Sequence, residues 1–184
     1  MAKSWSDYYA RTSGLPPGSQ VAGFLAALPC GARVLDFGTG SGRYAAAFMR
    51  DRPDLVVDAL DQNIGRAPLL ADWPPDRLLA EHFEDWCAAP ESYDGIWARS
   101  SLYFLPAPKL AEVFGRLAVA LKRGGVFEFT LTAEPGIRGF TAISRDGVKA
   151  MLADSGLRAR VFTSARAPYA DGQLLMTHRV RARK

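Results

Sequence analysis

The chain has 184 residues, of which 48% are hydrophobic and 23% charged, which is the size and composition of one ordinary globular domain. No apolar run approaches the roughly 18 residues that span a bilayer, and the first residues lack the apolar segment of a secretory signal, so we expect no membrane partner. The two cysteines form no CxxC pair and there are two histidines. We therefore expect no metal site, no disulfide framework and a reducing, cytoplasmic location.

The net charge is +4, and much of the excess lies late in the chain, in Arg158, Arg160, Arg166 and residues 179–184. Basic tails can attract phosphate, but they are more often solvated chain ends. We therefore expect a solvated basic end and no nucleic-acid partner.

The first 30 residues differ in pattern from the rest of the chain. Trp5, Tyr8 and Tyr9 form an aromatic cluster, and apolar residues from Val21 to Leu28 have helical spacing. We predict a helical lead-in over residues 1–30, which could form a lid, followed by one domain over residues 31–184.

Within residues 31–184, short apolar runs alternate with amphipathic segments, which is typical of an α/β sheet. The predicted strands are 33–37, 55–60, 77–83, 93–98, 126–131, 158–163 and 174–180, and the predicted helices are 43–49, 108–121 and 144–154. Lys122 and Arg123 are placed in the last turn of the second helix, which Gly124 and Gly125 end, and Ser144 is the predicted N-cap of the third.

The last two strands follow one another without a helix, which predicts antiparallel pairing. The sequence therefore predicts a single doubly wound, Rossmann-like α/β fold. Its seven-stranded sheet is mostly parallel, with an antiparallel C-terminal strand.

The most informative stretch is Val34-Leu35-Asp36-Phe37-Gly38-Thr39-Gly40-Ser41-Gly42-Arg43. Alternate glycines after a strand let the backbone turn tightly and approach a ligand. The helix that follows presents free N–H groups, which favour an anionic group. In an open α/β sheet this position lies at the carboxyl edge, where ligands bind.

The spacing argues against a dinucleotide. GxGxxG would need a third glycine at position 43, but Arg43 stands there and the glycine falls at 42. Asp36 before the loop suits an ammonium group, the helix start suits a carboxylate, and Asp61 at the end of the second strand suits a ribose diol. S-adenosylmethionine carries all three groups, whereas a tight turn without a ligand would need fewer glycines and acids.

The run from Val34 to Gly42 resembles the first motif of class I S-adenosylmethionine-dependent methyltransferases. Tyr93-Asp94-Gly95-Ile96-Trp97-Ala98 and residues 120–126 are similar to that family's motifs at the fourth strand and before the fifth. The resemblance covers the chain from about residue 20. Residues 94–106 and 138–141 look closest to small bacterial members of the tellurite-resistance type.

The resemblance implies a role for each matching residue. Asp36 would hold the methionine ammonium through water, and Arg43 could reach the carboxylate. Asp61 would accept the ribose hydroxyls, and Gln62 would lie against the adenine. The floor of the site would be formed by Gly38, Thr39, Gly40 and Gly42, with Ala98 at the end of the fourth strand.

The end of the third strand departs from the family pattern, in which an aspartate often receives the adenine amine. Phe83 stands at that position, so we expect its backbone to make the hydrogen bonds, with Glu84 as the neighbouring acid. His82 and Cys87 lie nearby, but the segment lacks the partners of a metal site.

The methyl acceptor should enter over the ends of strands four and five, where Arg99, Tyr103 and Arg138 are the candidate substrate residues. Ser100, Ser101 and Thr130 lie in the same region. The resembled subgroup often has a histidine where this chain has Phe104. The reaction would then need little help from a base, as with a thiolate, or the base lies elsewhere.

We therefore expect a methyltransferase that acts on a small molecule. The alternatives are a nucleic-acid methyltransferase, a non-catalytic cofactor-binding protein and, disfavoured by Arg43, a nicotinamide oxidoreductase. The first would normally carry Asn/Asp-Pro-Pro-Tyr/Phe after strand four, where this chain has Ser100-Ser101-Leu102-Tyr103. The sequence leaves the acceptor atom and the oligomeric state open.

Overall fold

Seven strands form one sheet in a computed structural model of the chain, which describes residues 4–135, 139–168 and 174–184. The helices are α1 (Trp5–Ser13), α2 (Gln20–Leu25), α3 (Arg43–Asp51), α4 (Ala107–Ala120) and α5 (Arg145–Asp154). The strands are β1 (Arg33–Phe37), β2 (Val56–Leu60), β3 (Leu78–Leu79), β4 (Tyr93–Ala98), β5 (Leu121–Thr132), β6 (Arg158–Pro168) and β7 (Leu174–Arg183).

The strand order is β3-β2-β1-β4-β5-β7-β6. The pairs formed by β1 to β5 are parallel, and β7 runs antiparallel to both β5 and β6. The predicted fold class, including the antiparallel C-terminal strand, is confirmed. Because the order reverses between β1 and β4, a crevice opens at the carboxyl ends of these two strands.

The core lies on both faces of the sheet because successive residues of a strand point to opposite sides. On one face Leu35, Ile96 and Phe127 pack against the apolar stripe of α4 and against α5. On the other face Val34 and Trp97 pack against α2 and α3. Both faces are therefore covered by helices, as a parallel sheet requires.

Two buried carboxylates tie strands together. Asp58 of β2, 1% exposed, accepts hydrogen bonds from Arg33, Arg77 and Tyr93. Glu128 of β5, 3% exposed, accepts from Arg179 and Arg181 of β7 at 2.8 and 2.5 Å. Neither acid stands out in the sequence, because a buried charge is recognised only once its partners are in place.

The predicted third strand, 77–83, is wrong in length, because β3 pairs with β2 at two positions only. Beyond them the carbonyl of His82 accepts from the N–H groups of Asp85 and Trp86, so the backbone turns away from the sheet. Trp86 is 1% exposed and packs on Phe37, which explains why the chain turns inward instead of continuing the edge.

The predicted end of the long helix is also wrong. α4 ends at Ala120, and Lys122 and Arg123 belong to β5 rather than to a last helical turn. Leu121 is already extended and pairs with Tyr93, while the Lys122 ammonium lies 2.8 Å from Asp94. The ion pair and the burial of Leu121 favour an early start of the strand. Ser144 is confirmed as an N-cap, since its side chain accepts from the N–H of Gly147.

The expectation of a solvated basic end is wrong for residues 179–184. Arg183 donates to the carbonyls of Gly124 and Ala27, and the Lys184 ammonium donates to the carbonyl of Leu121 at 2.7 Å. These side chains form hydrogen bonds within the protein because β7 lies inside the sheet rather than at its edge. None of the helices in the described ranges is both long and apolar enough to cross a bilayer.

Candidate functional site

A cavity of about 200 Å³ opens at the carboxyl ends of β1, β2 and β4, where the strand order predicts a ligand crevice. Helix α1 forms its opposite side. The lining residues are Trp5, Tyr8, Tyr9, Thr12, Gly38, Thr39, Gly40, Ser41, Arg43, Tyr44, Asp61, Gln62, Asn63, Phe83, Glu84, Arg99, Ser100, Ser101, Phe104 and Leu105.

The predicted cofactor residues fall into two groups. Eight of them line this cavity: Gly38, Thr39, Gly40, Arg43, Asp61, Gln62, Phe83 and Glu84. Asp36, Gly42 and Ala98 lie behind its wall: Asp36 is 1% and Ala98 0% exposed. The substrate candidates divide in the same way, because Arg99 lines the cavity, Tyr103 does not, and Arg138 lies outside the described residues.

Glycine is required at two points of the loop between β1 and α3. Gly38 has φ +81°, and a Cβ there would collide with the side chain of Ser101. Gly42 has φ +85°, and its Cβ would come within 2.5 Å of Leu70. Positive φ angles and these close approaches explain the glycine pattern, since any side chain would strain the turn. Gly42 therefore shapes the loop from behind, while Gly38 faces the cavity.

Asp61 holds the loop from the end of β2. Its Oδ2 accepts from the N–H of Gly40 at 3.0 Å, and its Oδ1 accepts from the N–H of Asn63 at 2.9 Å. The hydroxyl of Tyr9, from α1, donates to the same Oδ1 at 2.9 Å. Burial and the neighbouring charge of Asp61 raise the pKa of Tyr9. The predicted ribose acceptor thus lies in the cavity and is already engaged by helix α1.

Asp36 lies beneath the loop. Its Oδ2 accepts from the hydroxyl of Thr39 at 2.6 Å and from the N–H of Ala45 at 3.2 Å. Burial raises the pKa of Asp36 to about 7, although both hydrogen bonds oppose the shift. In this arrangement Asp36 acts on the cavity through Thr39, which separates the carboxylate from the open space.

Two arginines meet at the ring of Tyr44. The guanidinium carbon of Arg43 lies 4.5 Å from the ring centroid and that of Arg99 lies 5.9 Å from it. Arg43 donates to the Tyr44 hydroxyl at 2.9 Å. With the amide of Gln20 oriented to satisfy both of its polar atoms, its oxygen accepts a hydrogen bond from Arg99. This corner of the cavity is therefore cationic.

At the third-strand end, Phe83 and Glu84 both line the cavity. Their carbonyls are held by Arg116 of α4, which donates to Phe83 at 3.4 Å and to Glu84 at 2.6 Å. The Phe83 ring packs on Phe37 with centroids 4.6 Å apart. Since a carbonyl oxygen has two lone pairs, this contact still allows the Phe83 backbone to bind a ligand, and the Glu84 side chain is the neighbouring acid.

The segment after β4 supplies the wall beside the expected acceptor. Ser100 has φ +57°, and its N–H donates to the Thr130 hydroxyl at 2.8 Å. Tyr103 is 2% exposed and packs with Phe140 and Leu175 instead of reaching the cavity. Phe104 does line the cavity and packs against Trp5. The aromatic side of the cavity is thus shared between this segment and α1.

Several lining residues were not among the predicted cofactor or substrate residues. Tyr44 is the clearest case, because it follows Arg43 in an ordinary first helical turn and the sequence gives no sign that its ring supports two arginines. For Tyr9 the sequence predicts only a place in a lid. Its bond to Asp61 spans 52 positions in the chain and could be found only from the tertiary structure.

Residues 5–167 match the family described as Methyltransferase domain. The chain belongs to this family. No curated protein matches the sequence. Three solved structures illustrate how widely its fold occurs among proteins of low sequence identity.

A SAM-dependent methyltransferase from Methanosarcina mazei has a TM-score of 0.73 at 15% identity, over 92% of this chain and 99% of that one. The 1,6-didemethyltoxoflavin-N1-methyltransferase of Burkholderia thailandensis, solved with 1,6-didemethyltoxoflavin and S-adenosylhomocysteine, has a TM-score of 0.70 at 21% identity, over 89% and 76%. The [4+2]-cyclase SpnF has a TM-score of 0.70 at 17% identity, over 90% and 78%.

The family confirms the predicted enzyme class, a methyltransferase, and with it S-adenosylmethionine as the cofactor. The cavity of this methyltransferase fits that cofactor. Ser101 packs closely against Gly38, and its buried hydroxyl, next to the cavity, has no hydrogen-bond partner in the described part of the chain. Asp61 and Glu84 supply acceptors for hydroxyl and amine donors.

Proposed function

We propose that this chain transfers a methyl group from S-adenosylmethionine to a small-molecule acceptor. The observation that carries the proposal is that the glycine loop and Asp61 line the same cavity as the aromatic residues of α1. One side of the cavity offers polar groups for the cofactor, and the other offers rings for an apolar or planar acceptor.

The roles within the site follow from its contacts. We propose that Asp61 takes the ribose hydroxyls and that Gln62 and Glu84 lie beside the adenine. Gly38, Thr39 and Gly40 form the floor, Arg43 takes the carboxylate, and Asp36 and Gly42 hold the loop from behind. Ala98 and Tyr103 support the wall through burial, and Arg138 remains a predicted substrate residue.

When bound, the cofactor supplies a sulfonium methyl group that is open to direct displacement. The chain's own contribution is to orient the two reactants and to exclude water. Trp5, Tyr8 and Phe104 cover the acceptor side with rings. No histidine lines the cavity in the described part of the chain, which favours an acceptor that is already a strong nucleophile at neutral pH.

The N-terminal lead-in is proposed to act as the lid of the site. Trp5, Tyr8 and Tyr9 of α1 all line the cavity, and Tyr9 reaches Asp61 across it. A nucleic-acid acceptor receives no support from the basic tail, because Arg179, Arg181 and Arg183 are hydrogen-bonded within the protein. The cytoplasmic location and the tellurite-resistance subgroup remain proposals.

Isothermal titration with S-adenosylmethionine and with NAD tests the cofactor site. We expect binding of the first and not of the second. Replacement Asp61→Ala should weaken S-adenosylmethionine binding by about 1–3 kcal/mol, because hydrogen bonds to a charged group are lost. Asp72→Ala, at an exposed position away from the cavity, is the control and should leave the affinity unchanged. An unaltered affinity in Asp61→Ala would mean that the ribose is misplaced.

The acceptor is sought by measuring S-adenosylhomocysteine release with thiols, phenols, amines and metalloid oxyanions. Turnover with the oxyanions would support the tellurite-resistance subgroup. Binding of S-adenosylmethionine without release for any acceptor class would instead support a non-catalytic cofactor-binding protein.

A further inference from the structure

The cavity contains more positive charge than the cofactor accounts for. Arg43 and Arg99 both line it, and neither lies within ion-pair distance of a carboxylate in the described ranges of the chain. The cofactor has one carboxylate, and Arg43 at the start of α3 is the residue proposed to take it. Arg99, at the end of β4 on the acceptor side, is left without an anionic partner.

Arg99 is held in place rather than free to turn to solvent. Gln20 of α2, 8% exposed, accepts a hydrogen bond from its guanidinium when the amide is oriented as described above. The Arg99 guanidinium carbon also lies 5.9 Å from the centroid of the Tyr44 ring, which is 6% exposed. A guanidinium has five N–H donors. Gln20 engages part of this set, and the rest remains available to a ligand.

The two acids that line the cavity do not neutralise this corner. Asp61 has both oxygens engaged by Tyr9, Gly40 and Asn63, and Glu84 lies at the third-strand end beside the expected adenine. Two unpaired cations close to one ring repel each other. An incoming anion would relieve that repulsion, and in a half-buried site the attraction is stronger than in water.

Aromatic rings surround the same corner. Tyr44 lies against both arginines, and Trp5, Tyr8 and Phe104 line the facing wall. A wall of aromatic rings favours a planar ligand ring. A guanidinium forms a bidentate pair with a carboxylate. Resting on the proposed methyltransferase function, we propose that the methyl acceptor is a small planar organic acid whose carboxylate binds to Arg99.

The test measures binding to the protein saturated with S-adenosylhomocysteine, so that it does not depend on turnover. The probes are 3,4-dihydroxybenzoate and 3,4-dihydroxybenzamide, which share the ring and the hydroxyl groups and differ in charge. Isothermal titration should show at least tenfold tighter binding of the acid. An acid-to-amide affinity ratio below twofold, or no binding of the acid, would overturn the proposal.

Variants assign the preference to Arg99. Arg99→Gln should reduce the acid-to-amide ratio to below twofold while leaving S-adenosylhomocysteine affinity within about twofold of the original, which also shows that the site is folded. Arg99→Lys, which keeps the charge, should retain part of the preference. Arg123→Gln, at a position 92% exposed, is the control and should change neither value.

The failures of the two proposals are distinguishable. If S-adenosylhomocysteine and S-adenosylmethionine do not bind the unaltered protein, the proposed function fails. If they bind and Arg99→Gln lowers their affinity at least tenfold while the acid-to-amide ratio persists, Arg99 belongs to the cofactor site and the acceptor proposal alone is wrong.

Discussion

Individual side chains in the cavity have more than one partner, and their competition determines how a ligand can bind. Asp61 is shared between the loop, the turn after β2 and helix α1 through Gly40, Asn63 and Tyr9. Asp36 is shared between Thr39 and the start of α3. A ligand that needs either carboxylate must therefore displace or work through a group of the protein itself.

Tyr9→Phe should tighten S-adenosylmethionine binding about threefold to tenfold. The Tyr9 hydroxyl donates to Oδ1 of Asp61, so a ribose hydroxyl must displace it in order to bind there. The displaced hydrogen bond contributes about 0.5–1.5 kcal/mol, and the variant does not lose it on binding. Isothermal titration measures the change, with Tyr8→Phe as the matched control. Weaker binding in Tyr9→Phe would show that the hydroxyl positions Asp61 for the ribose instead of competing with it.

Asp36 should make stability depend on pH in the direction opposite to an ordinary ion-paired acid. Its pKa is raised to about 7, against about 3.9 for an unfolded aspartate, so the folded protein binds more protons between these values. Its contribution to the free energy of unfolding is thus full below about pH 4 and is lost as the pH rises through 7. The slope is at most about 1.4 kcal/mol per pH unit.

Denaturant unfolding at pH 5, 6, 7 and 8 measures this slope in the original protein and in Asp36→Asn, which keeps an acceptor for Thr39 and cannot titrate. The difference in stability between the two proteins should change most between pH 5 and 6 and level off towards pH 8, where Asp36 is ionised in both the folded and the unfolded state. A constant difference would show that Asp36 is charged in the folded protein throughout.

At the scale of secondary-structure elements, the site depends on where strands end rather than on how long they are. β1, β2 and β4 end at one edge and deliver the glycine loop, Asp61 and Arg99 to it. The short β3 leaves room for Phe83 to pack against Phe37 at the cavity wall. On the far side, β7 is inserted between β5 and β6 and is tied to β5 through Glu128.

Glu128→Ala should lower the free energy of unfolding by about 2–4 kcal/mol. Removing one partner of a buried ion pair costs about 3–5 kcal/mol, and the partial exposure of Arg179, 31%, reduces that figure. Chemical denaturation gives the value. Glu112→Ala, which breaks two ion pairs on the surface of α4, is the control and should have no measurable effect. Equal stabilities of the two variants would contradict a structural role for Glu128.

For the whole molecule, the cavity lies where the two halves of the sheet meet and where α1 closes against them. A ligand in this place contacts residues from α1 through the segment that follows β4, which are far apart in the chain. Its binding should therefore stabilise the fold as a unit, since a ligand that binds only the folded state shifts the unfolding equilibrium.

S-adenosylhomocysteine at about 100 times its dissociation constant should raise the free energy of unfolding by about 2.7 kcal/mol. For a domain of this size that corresponds to a rise of about 5–10 °C in the unfolding midpoint. Thermal scans measure it, and NAD at the same concentration should give no rise. In Asp61→Ala the rise at a fixed concentration should be smaller, and a rise with NAD would contradict the assigned specificity.

The fold and the glycine loop that lines the cavity could be predicted from the sequence because they rest on local patterns. Alternation of apolar runs with amphipathic segments predicts the sheet, and positive φ at Gly38 and Gly42 leaves glycine as the residue that fits. The end of β3 and the start of β5 could not be predicted, because the burial of Trp86 and the pairing of Lys122 with Asp94 decided them.

The sequence by itself determined the chain's family, its order of strands and helices and the glycine loop that lines the cavity. The tertiary structure alone decided that Tyr9 reaches Asp61, that Gln20 and Tyr44 hold Arg99, and that the basic C-terminal residues pack inside the sheet. The physical reason is distance along the chain. A glycine turn is specified by neighbouring residues, whereas a charge acquires its role from partners that only the folded chain brings together.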